Sequence, residues 1–349
     1  MKRLSLIRYK HKTTGGAQNY LNRLYEALKK DSNYECDILS ISKDELKPSL
    51  FTPSFLKPLL FSNKLCRAEK NSIYFSLERV ACPDIYRAGD GVHKEWMQIK
   101  HSKKRTITKP KDLIYLYLEQ RCFNNAKKIV ANSEMIKKSI IDFYNIPSSK
   151  IEVVYNGFDA KEFDKEDAKK KLKKDLGLEN GTKIILFVGN GFFRKGVKEL
   201  IELVSQLKYQ NIVTVIIGKD KEIQKYKNLA NSSGKKFLFL GEQKEVERYY
   251  QGSDIFVFPT LYEPFSNATL EAMAYECVSF TTLKNGAYEI IDESFFRLED
   301  DLDVSAIRID ALLNDETKLK EYQQLHAKKA KNLSIQVNLQ KTLDVINSI

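Results

Sequence analysis

The sequence predicts an α/β protein of two Rossmann-like domains, and three observations carry that prediction. At 349 residues the chain is long enough for two domains that each bury a core. Short apolar runs alternate with stretches whose apolar residues recur at helical spacing. Several of the runs stop at glycines, the pattern of a buried parallel strand that ends in a ligand-facing loop.

Residues 4–7 read as a first strand, and Gly15 and Gly16 open a helix whose apolar residues Ala17, Tyr20, Leu21, Leu24 and Leu28 share one face. Glycines at such a junction bring backbone close to a ligand. Residues 36–41 read as a second strand. From 48 to 65 the chain is apolar but broken by Pro53 and Pro58; a buried crossover is the preferred reading, and a membrane-surface or acceptor-facing excursion is the alternative. Residues 73–77, 84–88 and 127–133 follow as strands, and the last leads into a helix over 134–144. The lysine-rich stretch 165–174 reads as a solvated helix and not as a nucleic-acid tract. Gly181 opens the second Rossmann unit, with a buried strand over 183–188, a helix over 197–207 and another buried strand over 254–259. Pro259 and Pro264 stop regular structure before a helix that opens at Ser266 or Asn267. The tail from 317 to 349 has helical propensity.

The net charge of +12 is unevenly placed. Residues 1–150 hold 29 Lys and Arg against 15 Asp and Glu, whereas residues 151–349 hold 29 against 31. A basic half implies an acidic partner surface; with no helix-turn-helix, zinc-finger or RNP pattern, anionic lipid with its phosphorylated glycans is expected and nucleic acid is not. Cys36, Cys66, Cys82, Cys122 and Cys277 are odd in number and lack metal-ligand spacing, so they read as reduced thiols of a cytoplasmic protein. The first residues are charged too soon for a signal peptide. No apolar run reaches the ~18 residues of a spanning helix, so membrane contact is expected to be peripheral.

Two stretches of the second half carry the chemistry. Gly189 and Gly191 precede Arg194 and Lys195 at a strand-to-helix junction, where loops of open α/β sheets face ligands. A fixed Arg and Lys there stabilise a diphosphate as its bond to a sugar breaks, more than they stabilise the ground state. The bland alternative is a loop with solvated cations. At the next helix start, free amides and the positive dipole end make Ser266, Asn267 and Ala268 anion-binding candidates. Glu271 lies about one turn further in, and Glu263 stays outside the helix. Carboxylates accept from vicinal diols, which suits one to ribose and the other to the donor sugar.

On these residues the chain resembles the retaining family-four glycosyltransferases of the GT-B fold, whose signature is a Glu-x7-Glu element after a glycine-rich loop with Arg and Lys. Glu263 and Glu271 stand at that spacing. The likeness extends to Val215-Ile216-Ile217-Gly218-Lys219-Asp220, Phe239-Leu240-Gly241, Gly252-Ser253-Asp254 and Thr14-Gly15-Gly16-Ala17-Gln18, in the family's order. Within the family it is most similar to bacterial lipopolysaccharide-core α-1,3-glucosyltransferases. The resemblance implies two Rossmann-like domains facing a central cleft: residues 1–155 for the acceptor, residues 156–334 for the nucleotide sugar, and a C-terminal helix over 335–349 returning to the first domain. Residues 151–159 are then the last strand of the first domain and the start of the hinge. It implies a retaining transfer of a hexose from a UDP-linked donor to a lipid-linked or lipopolysaccharide-core glycan, at the inner face of the cytoplasmic membrane, with no cofactor and no metal. A glycolipid or polyprenyl-linked acceptor, and a catalytically silent module that binds the nucleotide sugar, are the alternatives. Glu276 and Val278 stand where the family has Gly and Pro, which opens the turn after the helix to another geometry. Asn190 stands where the family has Arg, which leaves phosphate binding to Arg194 and Lys195.

The same resemblance directs attention to Gly89-Asp90-Gly91-Val92-His93, at a strand end of the first domain. Retaining transfer keeps the acceptor hydroxyl on the face of the leaving phosphate. Its proton passes to a phosphate oxygen while a nearby carboxylate orients the hydroxyl or stabilises oxocarbenium character. Asp90 is the candidate for that role, and His93 for a hydrogen bond to the donor sugar or the acceptor, against the structural reading common for an isolated histidine. His11, His101 and His326 have no such setting. Asp301 and Asp303 match a metal-binding Asp-x-Asp pattern but lie in an acidic run and read as a solvated loop.

Overall fold

The computed structural model describes residues 2–10, 16–104 and 108–349. The chain divides into two compact units, Met1–Tyr155 with Asn338–Ile349, and Asn156–Val337.

The first unit is built on a parallel sheet of β1 (Lys2–Ile7), β2 (Tyr34–Leu39), β3 (Ile73–Ser76), β4 (Ile85–Arg87), β5 (Lys128–Ala131) and β6 (Ile151–Val153), in the order β2-β1-β3-β4-β5-β6. Leu4 and Leu6 enter one apolar cluster with Tyr20, Leu21, Leu24 and Leu28 of the Gly16–Lys30 helix. Ile7, on the opposite face, enters another with Phe61 and Leu65 of the Lys57–Arg67 helix. Burial on both faces of β1 is why Leu6 and Ile7, adjacent in sequence, are both apolar. The C-terminal helix Ile335–Asn347 returns to this unit. Its Val345 and Ile346 join the first cluster, worth roughly 1.5–3 kcal/mol each when fully buried. Tyr20 Oη lies 3.1 Å from Thr342 Oγ1, and Tyr34 Oη donates to Asn347 Oδ1 at 2.7 Å.

Two expectations for this unit are corrected. Cys66 and Cys82 form a disulfide with Cα atoms 5.7 Å apart, so five reduced thiols is wrong. A helix end and the loop after β3 meet only in the fold, and spacing along the chain carries no sign of it. Cys36, Cys122 and Cys277 are free. The stretch 48–65 is not a buried crossover throughout: Phe61 and Leu65 are core, whereas Leu50 and Phe51 stand in solvent. The prolines break the chain there into consecutive turns, with Thr52 N donating to Ser49 O and Leu56 N to Pro53 O, both at 3.0 Å.

The second unit holds β7 (Lys183–Val188), β8 (Ile212–Ile217), β9 (Lys236–Gly241), β10 (Ile255–Phe258) and β11 (Val278–Thr281), all parallel, in the order β11-β10-β7-β8-β9. β7 and β10 are neighbours although the chain visits β8 and β9 between them. The loops after β7 and β10 therefore leave the sheet side by side where strand order reverses, the place at which open α/β sheets bind ligands.

The Lys165–Asp175 helix is not the solvated helix that its composition suggests. Lys169 and Lys173 are buried, and Lys169 Nζ pairs with Asp254 Oδ1 at 2.9 Å. Burial alone raises the Asp254 pKa, but Lys169 and the Ile184 amide, 2.9 Å from Oδ2, hold the carboxyl below its usual range. A buried carboxylate at the head of a core strand needs such a partner. Asp301 accepts from Asp303 N at 3.0 Å and caps the Leu302–Leu313 helix, so this pair opens a helix and is not the expected loop. After the Asn267–Ala274 helix, Glu276 has φ of 57°, with Glu276 N on Met273 O at 3.0 Å and Cys277 N on Ala272 O at 2.8 Å. The turn takes the left-handed conformation that glycine adopts most easily at a helix end. The departure at this position is one of residue type.

Candidate active site

After β7 the chain passes Gly189 and Gly191 into a single helical turn, Phe192–Lys195. Gly196 follows with φ of 78°, and a Cβ on it would lie 1.8 Å from the Pro259 carbonyl oxygen. Only glycine lets the β7 loop pack this closely on the end of β10. A Cβ on Gly189, by contrast, would meet ordinary contacts at 3.5 Å and beyond.

That packing aims Arg194 and Lys195 at the β10 loop. Leu261 N and Thr260 Oγ1 each donate to Arg194 O at 2.9 Å. Arg194 Nη1 donates to Glu263 Oε2 at 2.9 Å and to Tyr262 O at 3.1 Å, and Lys195 Nζ pairs with the same Glu263 oxygen. Glu263 is fixed in turn by its backbone, with its N on Lys284 O at 2.8 Å and its O accepting from Gly286 N at 2.9 Å. Lys195 lies over the Phe258 ring, 5.1 Å from its centre; burial lowers its pKa, and the Glu263 carboxylate partly restores it. Arg194 keeps 36% of its side chain exposed. Two cations against one carboxylate leave excess positive charge at the switch point of the sheet, in reach of an anionic ligand.

Ser266 Oγ accepts from Thr269 N at 3.1 Å and is the N-cap of the next helix. Beneath it, buried Asn285 accepts from Ser266 N at 3.2 Å and Ala287 N at 3.1 Å. Its Nδ2 donates to Thr269 Oγ1 at 3.1 Å and Thr281 Oγ1 at 3.0 Å. Asn267 and Ala268 stand half-buried in the first turn, and Asn267 Oδ1 accepts from Asn156 Nδ2 at 2.7 Å. Glu271 is half-buried one turn further in. Burial raises its pKa to about 7, the Tyr250 hydroxyl offsets part of that rise, and Glu247 adds to it.

In the first unit Asp90 follows β4 and is exposed, its Oδ2 4.0 Å from Arg79 Nη1. Arg79 donates from Nε to Glu119 Oε1 and from Nη2 to Gly91 O, both at 2.8 Å. Fully buried Glu119 also accepts from His93 N at 2.7 Å, Lys94 N at 3.1 Å and Tyr144 Oη at 2.6 Å. A carboxylate with that many donors, set against helix amides, fixes the start of the His93–Lys104 helix. The His93 ring packs on Tyr115 with centres 5.4 Å apart, and Nε2 is 3.4 Å from Asp112 Oδ1. Burial, helped by Arg79, lowers the His93 pKa and favours the neutral ring. At the strand-order reversal of this sheet, between β1 and β3, Arg8 Nη1 meets Glu78 Oε1 at 2.9 Å. Gly16 starts the Gly16–Lys30 helix and is exposed; Gly15 lies outside the described residues.

The structure thus gathers Arg194, Lys195 and Glu263, beside the helix that carries Ser266, Asn267, Ala268 and Glu271, where the chain leaves β7 and β10. It places Asp90 and His93 together in the first unit. Asn285, Tyr250, Arg79 and Glu119 escape sequence reasoning. Asn285-Gly286 carries a turn signal; the other three sit in no motif. Among the described residues no group of three or more His, Cys, Asp or Glu is placed to hold a metal ion.

Residues 14–162 match the model of glycosyltransferase family 4, and residues 168–332 match that of glycosyl transferases group 1. The chain belongs to the family-four glycosyltransferases. It is 28% identical over 172 residues to an uncharacterized glycosyltransferase of Methanocaldococcus jannaschii, a match that covers 47% of this chain and 44% of that protein. It is 29% identical over 191 residues to the N-acetylgalactosamine-N,N'-diacetylbacillosaminyl-diphospho-undecaprenol 4-alpha-N-acetylgalactosaminyltransferase of Campylobacter jejuni subsp. jejuni, covering 53% and 50%. The chain spans about half the length of the curated relatives it matches. The crystal structure of WaaG, a glycosyltransferase involved in lipopolysaccharide biosynthesis, superposes with a TM-score of 0.77 at 16% identity and covers 98% of this chain and 99% of that one. That likeness makes the fold GT-B, two Rossmann-like sheets with the C-terminal helix packed in the first unit.

Proposed function

We propose that the protein is a retaining hexosyltransferase. It moves a sugar from a UDP-linked donor to a lipid-linked or lipopolysaccharide-core glycan, with no resident cofactor. The observation that carries this reading is the convergence of Arg194 and Lys195 on Glu263 beside the Ser266-capped helix. As the glycosidic bond breaks, negative charge builds on the diphosphate, and the two cations with the helix amides stabilise it more than the ground state. Glu263 is their counterion before the donor arrives and an acceptor for donor-sugar hydroxyls afterwards. Glu271 takes the ribose hydroxyls. Asp90 orients the acceptor hydroxyl, whose proton leaves with a phosphate oxygen, and neutral His93 serves as a hydrogen-bond partner for sugar. The acceptor class is supported by the Campylobacter relative, a transferase acting on a diphospho-undecaprenol glycan, and by the role of WaaG in lipopolysaccharide biosynthesis.

The test is UDP release from a panel of UDP-hexoses, with and without lipid-linked glycan acceptors, and NMR of the product anomer. Turnover of at least one donor with retained configuration is expected. UDP binding without any turnover would make the protein a binding module, and an inverted anomer would remove the Asp90 scheme. We place the enzyme at the inner face of the cytoplasmic membrane. That location requires the Cys66–Cys82 bridge to persist against cellular reductants, which thiol labelling of freshly lysed cells reads directly.

A further inference from the structure

We propose that the turn at residues 49–52 is a lipid-insertion tip that seats the first unit on an anionic bilayer; the inference builds on the lipid-linked acceptor reading above. Thr52 N donates to Ser49 O at 3.0 Å, which closes a turn with Leu50 and Phe51 at its two central positions. Their exposures are 84% and 96%, and the exposed Phe55 and Leu60 continue the apolar surface toward the Lys57–Arg67 helix. A single exposed apolar residue needs no explanation, but two adjacent ones at a turn tip, backed by two more, form a patch of the kind that marks an interaction site.

Charge identifies the occupant. From residue 47 to residue 68 the chain carries Lys47, Lys57, Lys64 and Arg67 and no Asp or Glu. Lys64 Nζ donates to Lys47 O at 2.8 Å, so the helix and the base of the turn are held together. The platform is rigid: Phe61 and Leu65 are core, Ala81 N donates to Ser62 Oγ at 2.9 Å, and the Cys66–Cys82 bridge ties the end of the helix to the loop after β3. Apolar side chains on a fixed base, with four cations between residues 47 and 68 and carboxylates only at the bounds of that stretch, Glu45 and Glu69, suit the headgroup boundary, where the tip enters and Lys and Arg meet lipid phosphate. A second copy of the chain would bring the same four cations against them, so like-charge repulsion opposes self-association through this face.

The experiment is co-sedimentation of the full chain with vesicles of phosphatidylglycerol and phosphatidylcholine, and with phosphatidylcholine alone. The pair Leu50→Ser and Phe51→Ser is expected to lower partitioning onto the mixed vesicles by about tenfold or more. The set Lys47→Gln, Lys57→Gln and Lys64→Gln is expected to lower it comparably on mixed vesicles only, and to flatten its dependence on salt. Wild-type partitioning by the double serine variant would overturn the proposal. So would a change confined to the oligomeric state in sedimentation velocity, which would assign the tip to a second copy. UDP binding is measured on the same proteins: a wild type that binds vesicles but not UDP counts against the functional reading alone, and one that binds UDP but not vesicles counts against this inference alone.

Discussion

Arg194 Nη1 and Glu263 Oε2 are 2.9 Å apart, and the oxygen that joins them is also the one that Lys195 holds. A single carboxylate oxygen therefore keeps two cations together at the end of the β7 loop. Removing either cation leaves the other paired, whereas removing Glu263 leaves two like charges with no counterion.

Lys195→Ala and Arg194→Ala are expected to lower kcat by roughly two to three decades, the scale for losing one donor that stabilises transition-state charge. Each variant keeps a neutralising partner for Glu263, so the fold should hold, which circular dichroism melting checks. Unchanged turnover in both would remove the phosphate role from this pair.

On the proposed ribose role, Glu271 is expected to give donor binding a pH dependence. Its carboxyl titrates near 7, and only the ionised form accepts from two ribose hydroxyls. UDP affinity should therefore rise as pH increases through about 7 and fall roughly tenfold per unit below it. Calorimetry in buffers of different ionisation enthalpy should show protons released on binding under mildly acidic conditions. The stability effect has the opposite sign: a raised carboxyl stabilises the fold below its unfolded pKa, and that contribution is lost as pH climbs through about 7. Glu271→Gln should abolish the binding dependence; its survival there would move the titrating group elsewhere.

Much of the fold is legible in the sequence because parallel strands buried on both faces announce themselves as apolar runs, as residues 183–188 do. The Ser266 cap and the helix over Glu134–Tyr144 are legible for a related reason: local capping chemistry and helical period agree there. What escapes is tertiary. Lys169 looks solvated until Asp254 is seen beneath it, and Cys66 and Cys82 look like independent thiols until a helix end meets a loop. The Glu119 hub is invisible because its donors are mostly backbone amides and an arginine forty residues away. In the site, Arg194 and Lys195 are readable as cations near a junction, but their shared hold on Glu263 depends on β7 and β10 becoming neighbours.

His326 should make the second unit sensitive to acid. Its Nδ1 accepts from Ser279 N at 3.0 Å, and burial, with Lys329 nearby, lowers its pKa to about 3. The unfolded chain binds this proton below about pH 6.5, so the stabilisation is complete above that value and declines by about 1.4 kcal/mol per unit as pH falls toward 3. His326→Asn supplies an acceptor that does not titrate. Its stability deficit in urea should shrink by about 2 kcal/mol between pH 6.5 and 5, and a constant deficit would exclude His326 as the source.

Glu276 offers a gain in stability. It sits in the left-handed region at φ of 57°, where a side chain costs about 1–2 kcal/mol and glycine does not. Glycine gives part of that back through the greater freedom of the unfolded chain, roughly 0.5–1 kcal/mol. Glu276→Gly should therefore raise stability by about 0.5–1 kcal/mol in urea denaturation. Glu276 also favours the charged form of half-buried Lys165, so removal of its charge opposes the gain. Glu276→Ala separates the two, because it removes the charge and keeps the strained backbone with a Cβ. Loss of the attraction to Lys165 costs stability in both variants, so alanine is expected to be no more stable than the wild type and glycine more stable than alanine; an alanine variant as stable as the glycine one would show that the turn stores no strain at the end of the helix that carries Glu271.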